Sequence, residues 1–348
     1  MKLDLEDLAD IVETCVFCPK LCRFACGVAE AEGREAVTPW GLMTLADDVR
    51  RGFVKLDASV AEIWDHCAGC GACTAHCKHD NPVHEAVQKL RVQTASMRTD
   101  NPQLEHELAQ LGLTRSFEMW PAEGDCLILP GQLEPEELRE WAGVLKCLDI
   151  DNAYTDEFFW HSGGRFLQAG RADLFAKHVR HVTTQAVGCQ SIVCLDPDDY
   201  RTLMSPTYDP LRESVSVVFV LSLVEDQMEQ IAAVTEAPMV PVHPCRLFAE
   251  PRWLGIVSEI LSRLTTGAVE ETLLNADRAA CCGAGDGFAG RYPELGARMG
   301  EDLFEDVESS HIVALGGCSR HLRNSLHKRQ VSRLSSLLLA SLGMEESA

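Results

Sequence analysis

The chain has 348 residues, 46% of them hydrophobic, with 31 Lys plus Arg against 53 Asp plus Glu and a formal net charge of −22. That length implies two or three domains and that composition a well-cored globular protein, which excludes global disorder. A field of this sign repels phosphate backbones and anionic headgroups, so nucleic acid and a bare membrane surface are not expected partners. The longest nearly uncharged apolar run, residues 215–224, is half of the roughly 20 residues a spanning helix needs. The start, Met1-Lys2-Leu3-Asp4-Leu5-Glu6-Asp7, is acidic and unlike a secretion signal. The expectation is a cytoplasmic protein with no direct membrane insertion.

Sixteen cysteines are far more than an ordinary cytosolic protein needs, and in a reducing compartment clustered thiols are more often metal ligands than disulfides. Eight fall in two tight groups, Cys15-x2-Cys18-x3-Cys22-x3-Cys26 and Cys67-x2-Cys70-x2-Cys73-x3-Cys77. Three thiolates two or three residues apart can wrap one face of a cubane cluster. Zinc ribbons use separate C-x2-C hooks, so the spacing favours two [4Fe–4S] clusters over two zinc ions. Between the groups, Thr38-Pro39-Trp40-Gly41 is expected to break the chain, and residues 42–51 and 83–98 have helical spacing. His66, His76 and His79 interleave the second group and are expected on the surface or beside the ligands. Asn101-Pro102 is a plausible linker.

These groups resemble a bacterial two-cluster ferredoxin domain, in which the fourth cysteine of each group reaches across to the other cluster. The resemblance implies that one cluster takes Cys15, Cys18, Cys22 and Cys77, and the other Cys67, Cys70, Cys73 and Cys26. The sequence departs from that pattern in one extra residue between Cys18 and Cys22 and in the absence of Pro directly after Cys26 or Cys77.

Beyond the linker the pattern is α/β. Residues 126–129, 191–195, 216–224, 239–242 and 311–315 are strand-like, and 134–148, 172–183, 253–264 and 293–307 have helical spacing. Alternation of this kind favours mostly parallel sheets. Cys126, Cys147, Cys189 and Cys194 match no ligand spacing and are expected to be packing thiols. A third constellation comprises His243-Pro244-Cys245, Cys281-Cys282-Gly283 and Cys318-Ser319-Arg320-His321, four thiols that strand ends of an α/β sheet could bring together.

This constellation resembles the cysteine-rich CCG domain of heterodisulfide reductase and of the iron–sulfur subunits of glycolate, lactate and anaerobic glycerol-3-phosphate oxidising systems. His243 to Leu247 with Glu250-Pro251-Arg252 looks like that family's H-D-P-C-x-L…E-P-R segment without the residue between His and Pro. Cys281 to Gly285 matches C-C-G-x-G, and Cys318-x2-His321 is similar to a C-x2-H form of the family's C-x2-C. Such proteins carry two CCG domains, and a degenerate first copy fits upstream, with Gln132, His161, Ser162, Asp196 and Asp199 where thiols are expected. His161, Asp196 and Asp199 could instead hold a harder metal such as Zn or Mn.

The resemblance thus implies a mainly helical ferredoxin-like domain at 1–105, a degenerate CCG domain at 121–225 and an intact one at 226–348. Cys245, Cys281, Cys282 and Cys318, with His321 as a fifth ligand or a neighbouring donor, would hold a third centre, either a [4Fe–4S] cluster of noncubane type or a zinc ion. The implied function is an iron–sulfur subunit passing electrons between a flavoprotein dehydrogenase or electron-transfer flavoprotein and a quinone-linked or other acceptor. A membrane quinone-reducing partner would make it peripheral to the membrane. Gly163-Gly164 and residues 283–287 do not fit a dinucleotide-binding G-x-G-x-x-G, so the flavin belongs to the partner. The alternatives are a thiol–disulfide reductase acting at the CCG centre and a redox or iron sensor.

Overall fold

The computed structural model describes residues 3, 6–97, 102–150, 152–185, 189–248 and 250–343. The elements described between residues 6 and 97 are all helical. Helices Ala9–Val16, Pro39–Arg51 and Val83–Thr94 bury Val12, Leu42, Met43, Val87 and Leu90 around Trp64, whose indole donates to the Leu42 carbonyl at 3.1 Å. Thr38 does not break the chain. Its hydroxyl accepts from Gly41 N at 2.9 Å and caps the helix that Pro39 opens, because a first-turn proline gives up only an amide that is orphaned anyway. Pro102 likewise opens a helix, Pro102–Leu111, where a linker was expected; Asn101 lies outside the described residues. Residue 105 therefore falls inside a helix whose Leu108 and Leu111 join the core of the neighbouring sheet.

Two parallel sheets make up the rest. Strands β1 (Cys126–Leu129), β2 (Ala153–Tyr154), β3 (Ser191–Cys194) and β4 (Ser216–Phe219) form one sheet in the order β2-β1-β3-β4. Strands β5 (Val240–Pro241), β6 (His311–Ala314) and β7 (Gln330–Arg333) form the other in that order. The apolar run 216–224 is not one strand: β4 ends at Phe219 and helix Val220–Asp226 begins at once. Both stretches are apolar, and periodicity does not separate a short strand from a short helix in such a run. Cys189 and Cys194 lie in the core, with Cys126 and Cys147 packed against it.

One apolar core serves both sheets. It contains Ile128, Trp141 and Val193 together with Val313, Leu315, Leu334 and Leu338, and helix Leu334–Leu342 packs on helix Pro135–Cys147. Chain order reverses between β1 and β3, and such a switch point opens a crevice beyond the carboxyl ends of the strands. Gln132 and Asp196 come after those two strands, while Cys245 comes after β5 and Cys318 after β6. Among the described residues no helix is long and apolar enough to cross a membrane.

Candidate metal centres

The structure sorts the cysteines into three neighbouring groups. In the first, Cys15 sits in the last turn of helix Ala9–Val16, and the backbone turns back on itself so that Cys18 N donates to Cys15 O at 3.0 Å. Burial pushes the Cys15 thiol up to about 12; a hydrogen bond from Asn81 opposes this, while Cys22, Cys77 and Cys18 are close enough to add to it. Cys77, from the far end of the second sequence motif, thus stands with Cys15, Cys18 and Cys22. Asn81 Nδ2 donates to Cys15 Sγ at 3.0 Å and to Ile11 O at 2.9 Å, and His79 N donates to Cys77 Sγ at 3.4 Å.

The second group gathers around Cys73. Burial raises its thiol well above the ordinary value, and the charges of Cys70, Cys67, Cys26 and Cys22 add to that. Cys26 is raised by burial too, with Cys70 and Cys67 as its neighbours. So Cys26 stands with Cys67, Cys70 and Cys73. Gly69 N donates to Cys67 Sγ at 3.3 Å. The chain entering this group is held by Arg91, 1% exposed, whose Nε donates to Trp64 O at 3.0 Å and whose Nη2 donates to the Cys67 carbonyl.

In the third group, Cys245, Cys281 and Cys282 are buried, and Cys282 Sγ lies 2.8 Å from Cys318 Sγ. The Cys245 thiol is raised well above its ordinary value by its hydrogen bond with Cys281, then by burial, with Cys70 and Cys318 contributing. All four cysteines line one cavity with Arg246, Asp196 and Asp198. Gly283 N donates to Cys281 Sγ at 3.4 Å. Gly283 has a φ of +98°, which folds the Cys281-Cys282 loop against Gly296, where a Cβ would lie 2.5 Å from the carbonyl oxygen. His321 Nε2 donates to that same Gly296 carbonyl at 3.0 Å, and its ring also hydrogen-bonds the backbone of Cys282. These contacts tie His321 to the backbone of the Cys281-Cys282 loop.

The second and third groups touch. Cys70 is raised well above the ordinary value first by a hydrogen bond to Cys281 and then by burial. A Cβ on Gly285 would meet the Ala68 carbonyl oxygen at 2.3 Å, and one on Gly71 (φ +82°) would meet the Phe248 ring at 2.0 Å, so the loop of the second group touches both the Cys281-Cys282 loop and the segment after Cys245.

The degenerate copy is occupied by its own hydrogen bonds. His161 Nε2 donates to Leu111 O at 2.9 Å and its Nδ1 accepts from Gly163 N at 2.9 Å, so neither nitrogen has a lone pair for a metal. Asp199 Oδ1 accepts from Ser162 N at 2.7 Å and from Ser162 Oγ at 2.5 Å, and Asp196 caps the next helix through Asp198 N at 2.8 Å. These hydrogen bonds use the groups at which a harder metal was expected. Among the described residues no three His, Cys, Asp or Glu side chains are drawn together as a single ion would hold them. His66 is buried, bonded to Glu32 Oε2 at 2.8 Å and stacked on Tyr292 at 4.2 Å, whereas His76 is half-buried and His79 exposed.

Residues 11–81 match the family of the 4Fe-4S dicluster domain. The N-terminal part is thus an iron–sulfur, ferredoxin-like domain, a type that serves electron transfer. Its donor set suits that cofactor, since soft thiolates select iron–sulfur clusters and N–H groups pointing at sulfur are the usual means of tuning them. No curated protein and no solved structure matches the chain. Asn81 and Arg246, both in contact with the cysteine loops, escaped sequence reasoning; the only local signal for Asn81 was a polar residue four positions after Cys77.

Proposed function

We propose that the chain is an electron-transfer subunit in which Cys15, Cys18, Cys22 and Cys77 hold one [4Fe–4S] cluster, Cys67, Cys70, Cys73 and Cys26 a second, and Cys245, Cys281, Cys282 and Cys318 a third centre. Bound clusters of this kind take up and release single electrons. The observation that carries the reading is that Cys70 and Cys281 stand side by side, so the second thiol group adjoins the third without an intervening side chain. The thiol groups run in sequence from Cys15 in the helical domain to Cys318 at the carboxyl edge of the second sheet. The chain's own residues supply the thiols, desolvate them and aim N–H donors at their sulfurs.

On this reading the donor is a flavoprotein dehydrogenase or an electron-transfer flavoprotein and the acceptor a quinone-linked or other redox partner. The intact third group at 226–348 and its counterpart at 121–225, which has no cysteine at the ligand positions, favour a subunit of the heterodisulfide reductase and glycolate or lactate oxidase kind. Anaerobic iron, sulfide and zinc counting with EPR tests it. About twelve irons per chain are expected for three [4Fe–4S] clusters, and reduced partner flavoprotein should bleach the visible absorption. Colourless protein without sulfide overturns the proposal, and about eight irons with one zinc would replace the third cluster by a zinc site.

A second reading, thiol–disulfide reduction at the third centre, draws on the cavity that borders all four of its cysteines. It predicts turnover of a small disulfide with an artificial electron donor, lost in Cys282→Ser while the N-terminal domain still accepts electrons.

A further inference from the structure

Arg246 joins three parts of the molecule. It is the residue directly after Cys245, and its side chain is only 12% exposed. Its Nε donates to Asp198 Oδ1 at 2.8 Å, and its Nη1 donates to the carbonyl of Gly69, the residue before Cys70. Its own carbonyl accepts from Arg201 Nη1 at 3.1 Å. The guanidinium therefore lies against the loop of the second thiol group, with a carboxylate from the first sheet's unit as its counter-charge.

We propose that Arg246 sets the reduction potential of the cluster held by Cys26, Cys67, Cys70 and Cys73, and that Asp198 moderates the charge with which it does so. Reduction adds an electron to a site whose potential depends on nearby charge, on hydrogen bonds to sulfur and on solvent access. A fixed cation stabilises the reduced form, and the effect is strong where water is excluded. The anion beside it works in the opposite sense. This assigns a task to the unit that lacks ligand thiols: Asp198 holds the guanidinium by its side chain and Arg201 holds its main chain. Arginine suits the place because it stays charged and its planar fork can serve a carboxylate and a carbonyl at once.

The inference rests on the two-cluster reading of the N-terminal domain. The test is an EPR-monitored redox titration of the full chain, prepared anaerobically, comparing the unaltered protein with Arg246→Gln, Arg246→Lys and Asp198→Asn. Arg246→Gln should lower the second cluster's potential by about a tenfold change in its oxidised-to-reduced ratio, 59 mV for one electron. Asp198→Asn should shift it upward, Arg246→Lys should keep most of the original value, and the first cluster should stay put in all three. A merely structural brace would give Arg246→Gln and Asp198→Asn shifts of the same sign, or none, and either result overturns the proposal. If Arg246→Gln fails to take up iron, the Asp198→Asn titration decides: a rise supports the proposal, and a fall or no change overturns it. Absence of any reduced-cluster signal in the unaltered chain would instead overturn the proposed function itself.

Discussion

Replacing Glu137 with Gln should flatten the dependence of folding stability on pH. Glu137 is 1% exposed, on the helix Pro135–Cys147 beneath the loop that leads to Cys318. Its Oε1 accepts from Gly316 N at 2.9 Å, and its Oε2 has no hydrogen-bond partner among the described residues. Burial pushes the carboxyl from an ordinary 4.5 up to about 7, against the Gly316 bond and the charge of Arg333, with Glu140 and Glu134 adding to the rise. Between those values the unfolded chain has released the proton and the folded chain still holds it. The folded state then binds more protons, so stability falls as pH rises from 4.5 and levels off above about 7. At ~1.36 kcal/mol per pH unit, the interval from 4.5 to about 7 is worth about 3 kcal/mol. Some 2 kcal/mol of that, roughly, falls between about pH 5.5 and 8. Anaerobic urea unfolding of both proteins across that range isolates the contribution, because other buried carboxyls such as Asp199 titrate in both. The variant should gain about 2 kcal/mol relative to the unaltered chain as pH rises. Parallel curves would refute the reasoning.

Asn81→Leu removes the amide that donates to Cys15 Sγ. Hydrogen bonds to charged groups are worth ~1.5–3 kcal/mol, so the first cluster's potential should fall by on the order of a tenfold change in its oxidised-to-reduced ratio, read by EPR, while the second stays unchanged. Cys282→Ser should leave about eight irons per chain and both N-terminal EPR signals, with only the third centre's contribution missing. Gly71→Ala puts a Cβ where the Phe248 ring lies, 2.0 Å away, and at a φ of +82°. It should destabilise the protein by ~1–3 kcal/mol, measured by thermal unfolding, and slow electron arrival at the third centre in stopped-flow reduction as the Cys70 loop is pushed off Cys281.

The thiol motifs were legible because metal ligation from short turns is a local property: spacing alone brings Cys15, Cys18 and Cys22 together, and resemblance supplied the exchange of Cys26 and Cys77. Strands β1, β3 and β6 announced themselves as apolar runs because parallel strands are covered on both faces. Strand β7 did not, since Gln330 is exposed and the rest of the strand only half-buried, and β2 is a two-residue edge. Thr38-Pro39 misled for a physical reason: the residues that punctuate a chain also start helices, and the outcome is set by whether the next dozen residues can bury an apolar face, as Leu42, Met43 and Ala46 do here. The contacts that join the centres were out of reach. Arg246 and Gly69 are 177 positions apart, and Cys70 and Cys281 still further, so no window along the chain contains both partners.

The common core of the two sheets has a consequence for how current through the molecule is controlled. Sliding one half past the other would pull Leu334 and Leu338 away from Trp141 and its neighbours, and a close-packed interior resists such displacement. On the proposed electron-transfer reading, the tunnelling gap on the sheet side is therefore a constant of the scaffold, like the spacing of contacts on a rigid board, and throttling would fall to the ends of the path.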